Sequence, residues 1–255
     1  MTNHHGTPIW YELMTDAPDP AQDFYGAIMG WSFTKPPGGL ERDYRVFRAD
    51  GEDVGGVMKA PDGACFAPAW AAYFGVSDVD AAAEKVKALG GTVHMEPQDI
   101  PGVGRFAFVA DPQGAVFYLM RGDSDGNSTA FEPRRAGHCS WNELVTSDQD
   151  AALEFYGKLF GWERAGSVTL SGDMGEYVFI KNGDADLGAM MDAPTNAGSF
   201  WNFAFWVTDI DAAKSTVENG GGLVRMGPTE KPSGEWVLQA TDPQGAKVMF
   251  MGQRM

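Results

Sequence analysis

Apolar residues along this chain follow two alternating rhythms. Period-two runs at Pro8–Thr15, Tyr44–Ala49 and Val54–Met58 predict strands, and Asp50-Gly51 between the last two is a hairpin signal. Further along, strand patterns at Trp70–Val76, Thr92–Glu96, Arg105–Ala110 and Ala115–Met120 flank a predicted helix over Asp80–Leu89. Gly90-Gly91 stops that helix, and Asp111–Gly114 turns the last two strands. A second stretch opens with a strand at His138–Thr146. Then Ala151, Ala152, Phe155, Tyr156 and Leu159 recur at helical spacing, Gly161 ends the helix and Trp162 begins the next strand. Asn182-Gly183 gives this stretch its own hairpin turn. The polar Asp/Ser/Pro cluster after each opening strand suits N-capping of the helix that follows it.

The rhythm repeats because the sequence does. WYELMTDAPDPAQDFYGAIMGW from Trp10 lies over WNELVTSDQDAALEFYGKLFGW from Trp141 without a gap, at an offset of 131 residues, with half the positions identical. The register slips by two after Trp162, where Asp53, Gly55 and Pro61 match Asp186, Gly188 and Pro194. It then returns. Trp70, Phe74, Val76, Asp78 and Asp80 match Trp201, Phe205, Val207, Asp209 and Asp211, Gly90-Gly91 match Gly221-Gly222, and DPQGA occurs at Asp111 and at Asp242. Two domains are expected, 1–121 and 137–255, joined by a polar linker over 122–136. Arg134-Arg135 in that linker is expected to keep it solvated.

Composition narrows the function. A formal charge of −16 with scattered Lys and Arg argues against nucleic acid. No apolar run approaches the ~18 residues of a membrane span and no leader pattern opens the chain, so a cytoplasmic protein with no membrane partner is expected. Cys65 and Cys139 lack metal-ligand spacing and read as independent core thiols. No Ser-His-Asp ordering or phosphate-cradling loop is present, and Gly102–Gly104 precedes a strand without the helix a dinucleotide fingerprint needs.

A helix carrying FYG followed by GW, an acidic pair opening the second helix (Asp78, Asp80), the Gly-Gly stop and a closing DPQG turn, all repeated, resemble the vicinal oxygen chelate superfamily of glyoxalases, bleomycin-resistance proteins and extradiol dioxygenases. The opening W-x-E-L and the double lobe resemble its bacterial tandem hydroxylase-like members. The resemblance implies an α+β fold: a tandem duplication of a glyoxalase-like lobe, with four βαβββ modules forming two half-barrel sheets and helices outside. It also implies a monomer with pseudo-two-fold lobes, or a weak dimer.

The same resemblance implies a divalent metal held by His and Glu at three places in each lobe. They fall on Trp10 and Trp141 in the opening strands, Ala71 and Asn202 ahead of the acidic pair, and Tyr118 and Met249 after the DPQG turns. None is a usual ligand; only Asn202 offers weak coordination. Histidine is scarce. His4 and His5 lie in a ragged N-terminus, while His94 is Arg225 and His138 is Thr7 in the opposite repeat. No cofactor is therefore expected, with an atypical divalent metal left open.

What the repeats share instead is Trp-x-Glu. Strand alternation puts Glu12 and Glu143 on the faces of Trp10 and Trp141, where a carboxylate is costly unless paired or hydrogen-bonded. They read either as structural hydrogen-bond acceptors or as groups for a ligand, a base or a metal. Tyr73, Gly75, Tyr118, Asn202, Ala204, Trp206, Lys247, Met249 and Met251 are expected on the concave side, with Phe74, Val76, Phe205 and Val207 against helices. The expected substrate-binding set is Trp10, Glu12, Tyr73, Tyr118, Trp141, Glu143, Asn202, Trp206 and Met249. Two aromatic, Met-bearing pockets for a small hydrophobic or aromatic molecule follow, unless those side chains fill the space themselves. The reading is a small-molecule-binding protein without the usual metal ligands. The alternative is a glyoxalase-like lyase, isomerase or hydroxylase using Glu12 and Glu143.

Overall fold

The computed structural model describes residues 3–36, 43–61, 67–170, 175–194 and 197–255. The first repeat runs β1 (Pro8–Thr15), α1 (Pro18–Met29), β2 (Ser32–Thr34), β3 (Tyr44–Ala49), β4 (Glu52–Lys59), β5 (Ala69–Gly75), α2 (Val79–Ala88), β6 (Thr92–Ile100), β7 (Gly104–Ala110) and β8 (Val116–Gly122). The second runs β9 (Cys139–Thr146), α3 (Gln149–Phe160), β10 (Glu163–Thr169), β11 (Glu176–Asn182), β12 (Ala185–Asp192), β13 (Phe200–Asp209), α4 (Ile210–Asn219), β14 (Leu223–Glu230), β15 (Trp236–Thr241) and β16 (Lys247–Gln253). Each repeat makes one eight-stranded mixed sheet, ordered β2-β3-β4-β1-β5-β8-β7-β6 in the first and β10-β11-β12-β9-β13-β16-β15-β14 in the second. The fold is α+β, two tandem lobes of the same topology.

Three of the four described helices start at a side-chain cap; α1, where the polar cluster was expected to supply one, starts at Pro18 behind Ala17 without it. The Asp148 and Asp78 carboxylates accept from the amides of Ala151 and Ala81, and Asp209 accepts from those of Asp211 and Ala212. Gly30 and Gly161 end α1 and α3 in the left-handed region, at φ 69° and 81°. The acidic pair is thus structural: its first Asp caps the helix, and its second, Asp80 or Asp211, takes a bidentate pair from Arg105 or Arg254.

Compactness divides the chain differently from the repeat. One unit gathers Met1–Ile9, Ala72–Ser128 and Asn142–Trp201, and the other gathers Trp10–Ala71, Thr129–Trp141 and Asn202–Met255. Each therefore combines a first module of one repeat with a second module of the other. In the first unit, Phe74 packs against Phe117, Phe160, Trp162 and Trp201. In the second, Trp31 stacks on Phe47 at 4.0 Å and meets Trp70 and Phe205, while Tyr11 meets Phe203 and Phe205. Phe74, Phe205 and Val207 are buried, on the strand sides opposite Tyr73, Ala204 and Trp206. Each such side chain taken from water contributes about 1.5–3 kcal/mol.

The repeated FYG, GW and DPQG motifs meet inside these units. In the second, the Trp70 indole donates to the Tyr25 hydroxyl at 3.0 Å, and Tyr25 donates to Asp242 at 2.9 Å. In the first, Trp201 donates to Tyr156 at 3.2 Å and Tyr156 to Asp111 at 3.0 Å. Each Asp also accepts from two amides of its own turn, those of Gln113 and Ala115 or of Gln244 and Ala246. Burial raises both carboxyls above the ordinary aspartate range and, with the adjacent carboxylate, raises both phenols. The proton stays on the phenol. A second duplicated contact joins Trp31 to the Gly137 carbonyl and Trp162 to the Gly6 carbonyl. Both glycines have positive φ and leave no space for a side chain, an added Cβ falling 2.6 Å from Ala49 or from Phe160.

Several local expectations change. Arg134 and Arg135 do not simply solvate the linker: Arg134 pairs with buried Glu235, and Arg135 bridges Glu52 and Glu132. Burial pushes the Glu235 carboxyl up, but bonds from Ser233, its own amide and Arg134 outweigh this and hold it low. The N-terminus is not ragged at His5, whose ring meets the Leu159 carbonyl at 3.1 Å and whose own carbonyl accepts from Asn182. The strand expected to end at Glu96 runs on to Ile100, because register shifts around Met95 carry it past Pro97. Burial pushes the Cys139 thiol to about 12, so it behaves as a core group. Cys65 lies outside the described residues.

Candidate functional site

The expected site residues lie on the strand sides opposite the core side chains Tyr11, Phe74, Leu144 and Phe205, in three groups. In the unit built on Ala72–Ser128, Tyr73 of β5 and Tyr118 of β8 are rung partners. Their rings stack at 4.1 Å with only 7° between planes. Phe108 of β7 continues the surface 4.7 Å from Tyr118, Phe106 lies at 6.1 Å, and exposed His94 edges Phe108 at 5.5 Å. Tyr73 and Tyr118 are buried, whereas Phe106 and Phe108 are half-buried. The result is an aromatic shelf with an open margin. The sequence reading missed Phe106 and Phe108, although their alternation in Arg105–Ala110 places them on one face.

The same unit holds Glu143 of β9, 6% exposed, which accepts a 2.8 Å hydrogen bond from the Tyr177 hydroxyl. In the other unit Trp10 of β1 donates to the Tyr44 hydroxyl at 2.9 Å, and Glu12, 3% exposed, follows on the same side of the strand. Tyr44 lies over Gly56: an added Cβ there would fall 2.2 Å from its hydroxyl oxygen. Tyr44 and Tyr177 were also missed, and the signal was available, since they stand at equivalent places in the slipped register. Trp141, half-buried on β9, belongs to this second unit.

The third group is the face of β13, β15 and β16 in the second unit. Ala204 pairs with Met249, Trp206 with Met251, and Met249 also with Gln239. Asn202, two residues before Ala204, shares their side. The nine expected residues thus divide between units: Tyr73, Tyr118 and Glu143 in one, Trp10, Glu12, Trp141, Asn202, Trp206 and Met249 in the other.

These side chains do not suit the divalent metal that such lobes imply. The three places per repeat carry indoles, a methyl, a carboxamide, a phenol and a thioether, which are poor partners for a hard or borderline cation. Among the described residues, no three His, Cys, Asp or Glu gather as a metal site. His138 is fully buried and tied through Nδ1 to the Thr129 carbonyl at 2.6 Å, a structural position.

Comparison with known proteins agrees with this architecture. The family model described as Glyoxalase/Bleomycin resistance protein/Dioxygenase superfamily matches residues 7–119 and 135–250. A Mycobacterium tuberculosis protein provisionally named glyoxylase CFP32 is 45% identical over 125 residues, 48% of this chain and 46% of its own length, so the match spans about half of each. The anthracycline biosynthesis protein DnrV of Streptomyces peucetius is 30% identical over 94% of this chain and 91% of its own. Among solved structures, the Mn(II)-bound glyoxalase of Novosphingobium aromaticivorans superposes at TM-score 0.68 with 18% identity, covering 99% of this chain and 84% of that one. The 2,2',3-trihydroxybiphenyl 1,2-dioxygenase of Sphingomonas wittichii superposes at 0.68 with 15% identity, covering 97% and 90%. At such identities these two show the shared fold. With both repeats matched by one family model, and DnrV aligned over nearly the whole chain, the protein belongs to the glyoxalase/bleomycin resistance protein/dioxygenase superfamily.

Proposed function

We propose that this protein binds a small planar aromatic molecule and that its binding does not depend on the family's usual metal ligands. The observation that carries the reading is the stacked Tyr73–Tyr118 pair with Phe108 and half-buried Phe106 beside it. Stacking on such a surface adds about 0.5–1.5 kcal/mol per ring pair beyond burial, so a ligand of several fused rings gains most. The name of the DnrV relative, a protein of anthracycline biosynthesis, supports a ligand of that shape. Titration with 1,4-dihydroxyanthraquinone, followed by intrinsic fluorescence, should saturate. Tyr73→Leu with Tyr118→Met should weaken binding at least tenfold while the fold persists by circular dichroism. Absence of saturation, or unchanged affinity in the double variant, would overturn the reading.

One observation favours a second reading, a glyoxalase-like lyase, isomerase or hydroxylase. Glu143 is a desolvated carboxylate aligned by a phenol, and Glu12 repeats its position. A carboxylate so placed is suited to remove a proton from carbon beside a carbonyl. Stoichiometric divalent metal in tag-free protein, lost on Glu12→Gln with Glu143→Gln, would move the assignment to this reading.

A further inference from the structure

The β13-β15-β16 face of the second unit contains a polar atom that the fold leaves unused. Asn202 is 8% exposed, and its Oδ1 is buried without a hydrogen-bond partner among the described residues. An orphaned buried acceptor costs about 1–3 kcal/mol, and proteins rarely retain one without a reason. The other repeat shows that the position tolerates an apolar group, since Ala71 occupies it there. Around Asn202 the same face presents Trp206, Met249 and Met251, an indole and two thioethers, with Gln239 beside Met249. The equivalent positions of the first repeat carry the aromatic shelf instead: Tyr73 becomes Ala204, Tyr118 becomes Met249 and Phe108 becomes Gln239.

We infer that the second repeat holds a separate ligand subsite in which Asn202 Oδ1 accepts a hydrogen bond from an uncharged hydroxyl or N–H donor on an otherwise apolar ligand. Met249, Met251 and Trp206 supply adaptable, polarisable walls. The carboxamide selects for the donor, because an isostere lacking it leaves the oxygen buried and unsatisfied. This inference rests on the small-molecule reading and specifies its chemistry at one subsite.

Two measurements test it. Without ligand, Asn202→Leu removes the orphaned acceptor at similar volume, so the melting temperature should rise or hold. A fall of several degrees would show that the carboxamide serves the fold, and would overturn the inference. In equilibrium dialysis, the whole protein should bind 1-naphthol about tenfold more tightly than 1-methoxynaphthalene, which has the same rings and no donor. Asn202→Leu and Asn202→Ala should both abolish that preference. Equal binding of the two probes, or a preference that survives both substitutions, overturns the subsite and leaves the aromatic reading standing. Failure of both probes to bind overturns the subsite and the aromatic reading together.

Discussion

The helix-side locks are the same in both repeats, whereas the strand faces of the two second modules, β5–β8 and β13–β16, carry different side chains. Trp70–Tyr25–Asp242 and Trp201–Tyr156–Asp111 are the same three-residue chain twice, with hydroxyl-to-carboxylate distances of 2.9 and 3.0 Å. The first-module faces keep Trp-x-Glu and a tyrosine in both repeats, but the second-module faces differ: a stacked tyrosine pair in one repeat stands where Ala204 and Met249 stand in the other. Each lock binds modules from different repeats, so a change on one side requires a matching change on the other. The faces carry no such reciprocal constraint. The duplicated Trp-Tyr-Asp locks therefore mark what holds the units, and the divergence is confined to side chains that no lock uses.

The largest test of this contrast is loss of a lock acceptor. Asp242→Ala or Asp111→Ala strips one phenol and two turn amides of their partner, and each should cost about 2–4 kcal/mol in urea unfolding. Equivalence of the locks requires the two losses to agree within about 1 kcal/mol; a clear inequality breaks it. Next comes Gly56→Ala, where the added methyl meets the Tyr44 hydroxyl. It should cost about 1–3 kcal/mol, whereas Ala189→Gly at the matching place in the other repeat should cost less than about 1 kcal/mol. Equal losses would mean Tyr44 does not need its glycine.

Tyr25→Phe and Tyr156→Phe should each cost about 1–1.5 kcal/mol, because the indole and carboxylate lose only their shared link. Acidity gives the smallest effect. The Asp111 and Asp242 carboxyls are raised in the folded state, so their contribution is complete below the unfolded value near 4 and is lost as pH rises through the folded one. Asp242→Asn should thus cost more at pH 3.5 to 4 than at pH 7 in matched denaturation curves, at roughly those values. A larger cost at neutral pH would contradict the raised carboxyl.

Much of this was legible in the chain. Period-two runs located β1 and β3 to the residue, and the polar cluster after the second opening strand foretold the Asp148 cap of α3, while α1 starts behind Ala17 without a side-chain cap. The trace of Trp-x-Glu led to Glu143, yet not to Tyr177, which holds it from a strand more than thirty residues away. Strand β6 escaped its predicted end because a bulge absorbs Pro97, and a bulge is settled by the partner strand.

By itself, the sequence determined the duplication, the order and kind of the elements, and the buried side of β5 and β13, because these depend on local periodicity within a few residues. Only the tertiary structure decided which modules combine. FYG and DPQG look like independent local signatures until Tyr25 meets Asp242 and Tyr156 meets Asp111 across the repeats. A buried phenol must find an acceptor wherever the packed chain supplies one, and no local pattern records that the acceptor comes from the opposite repeat.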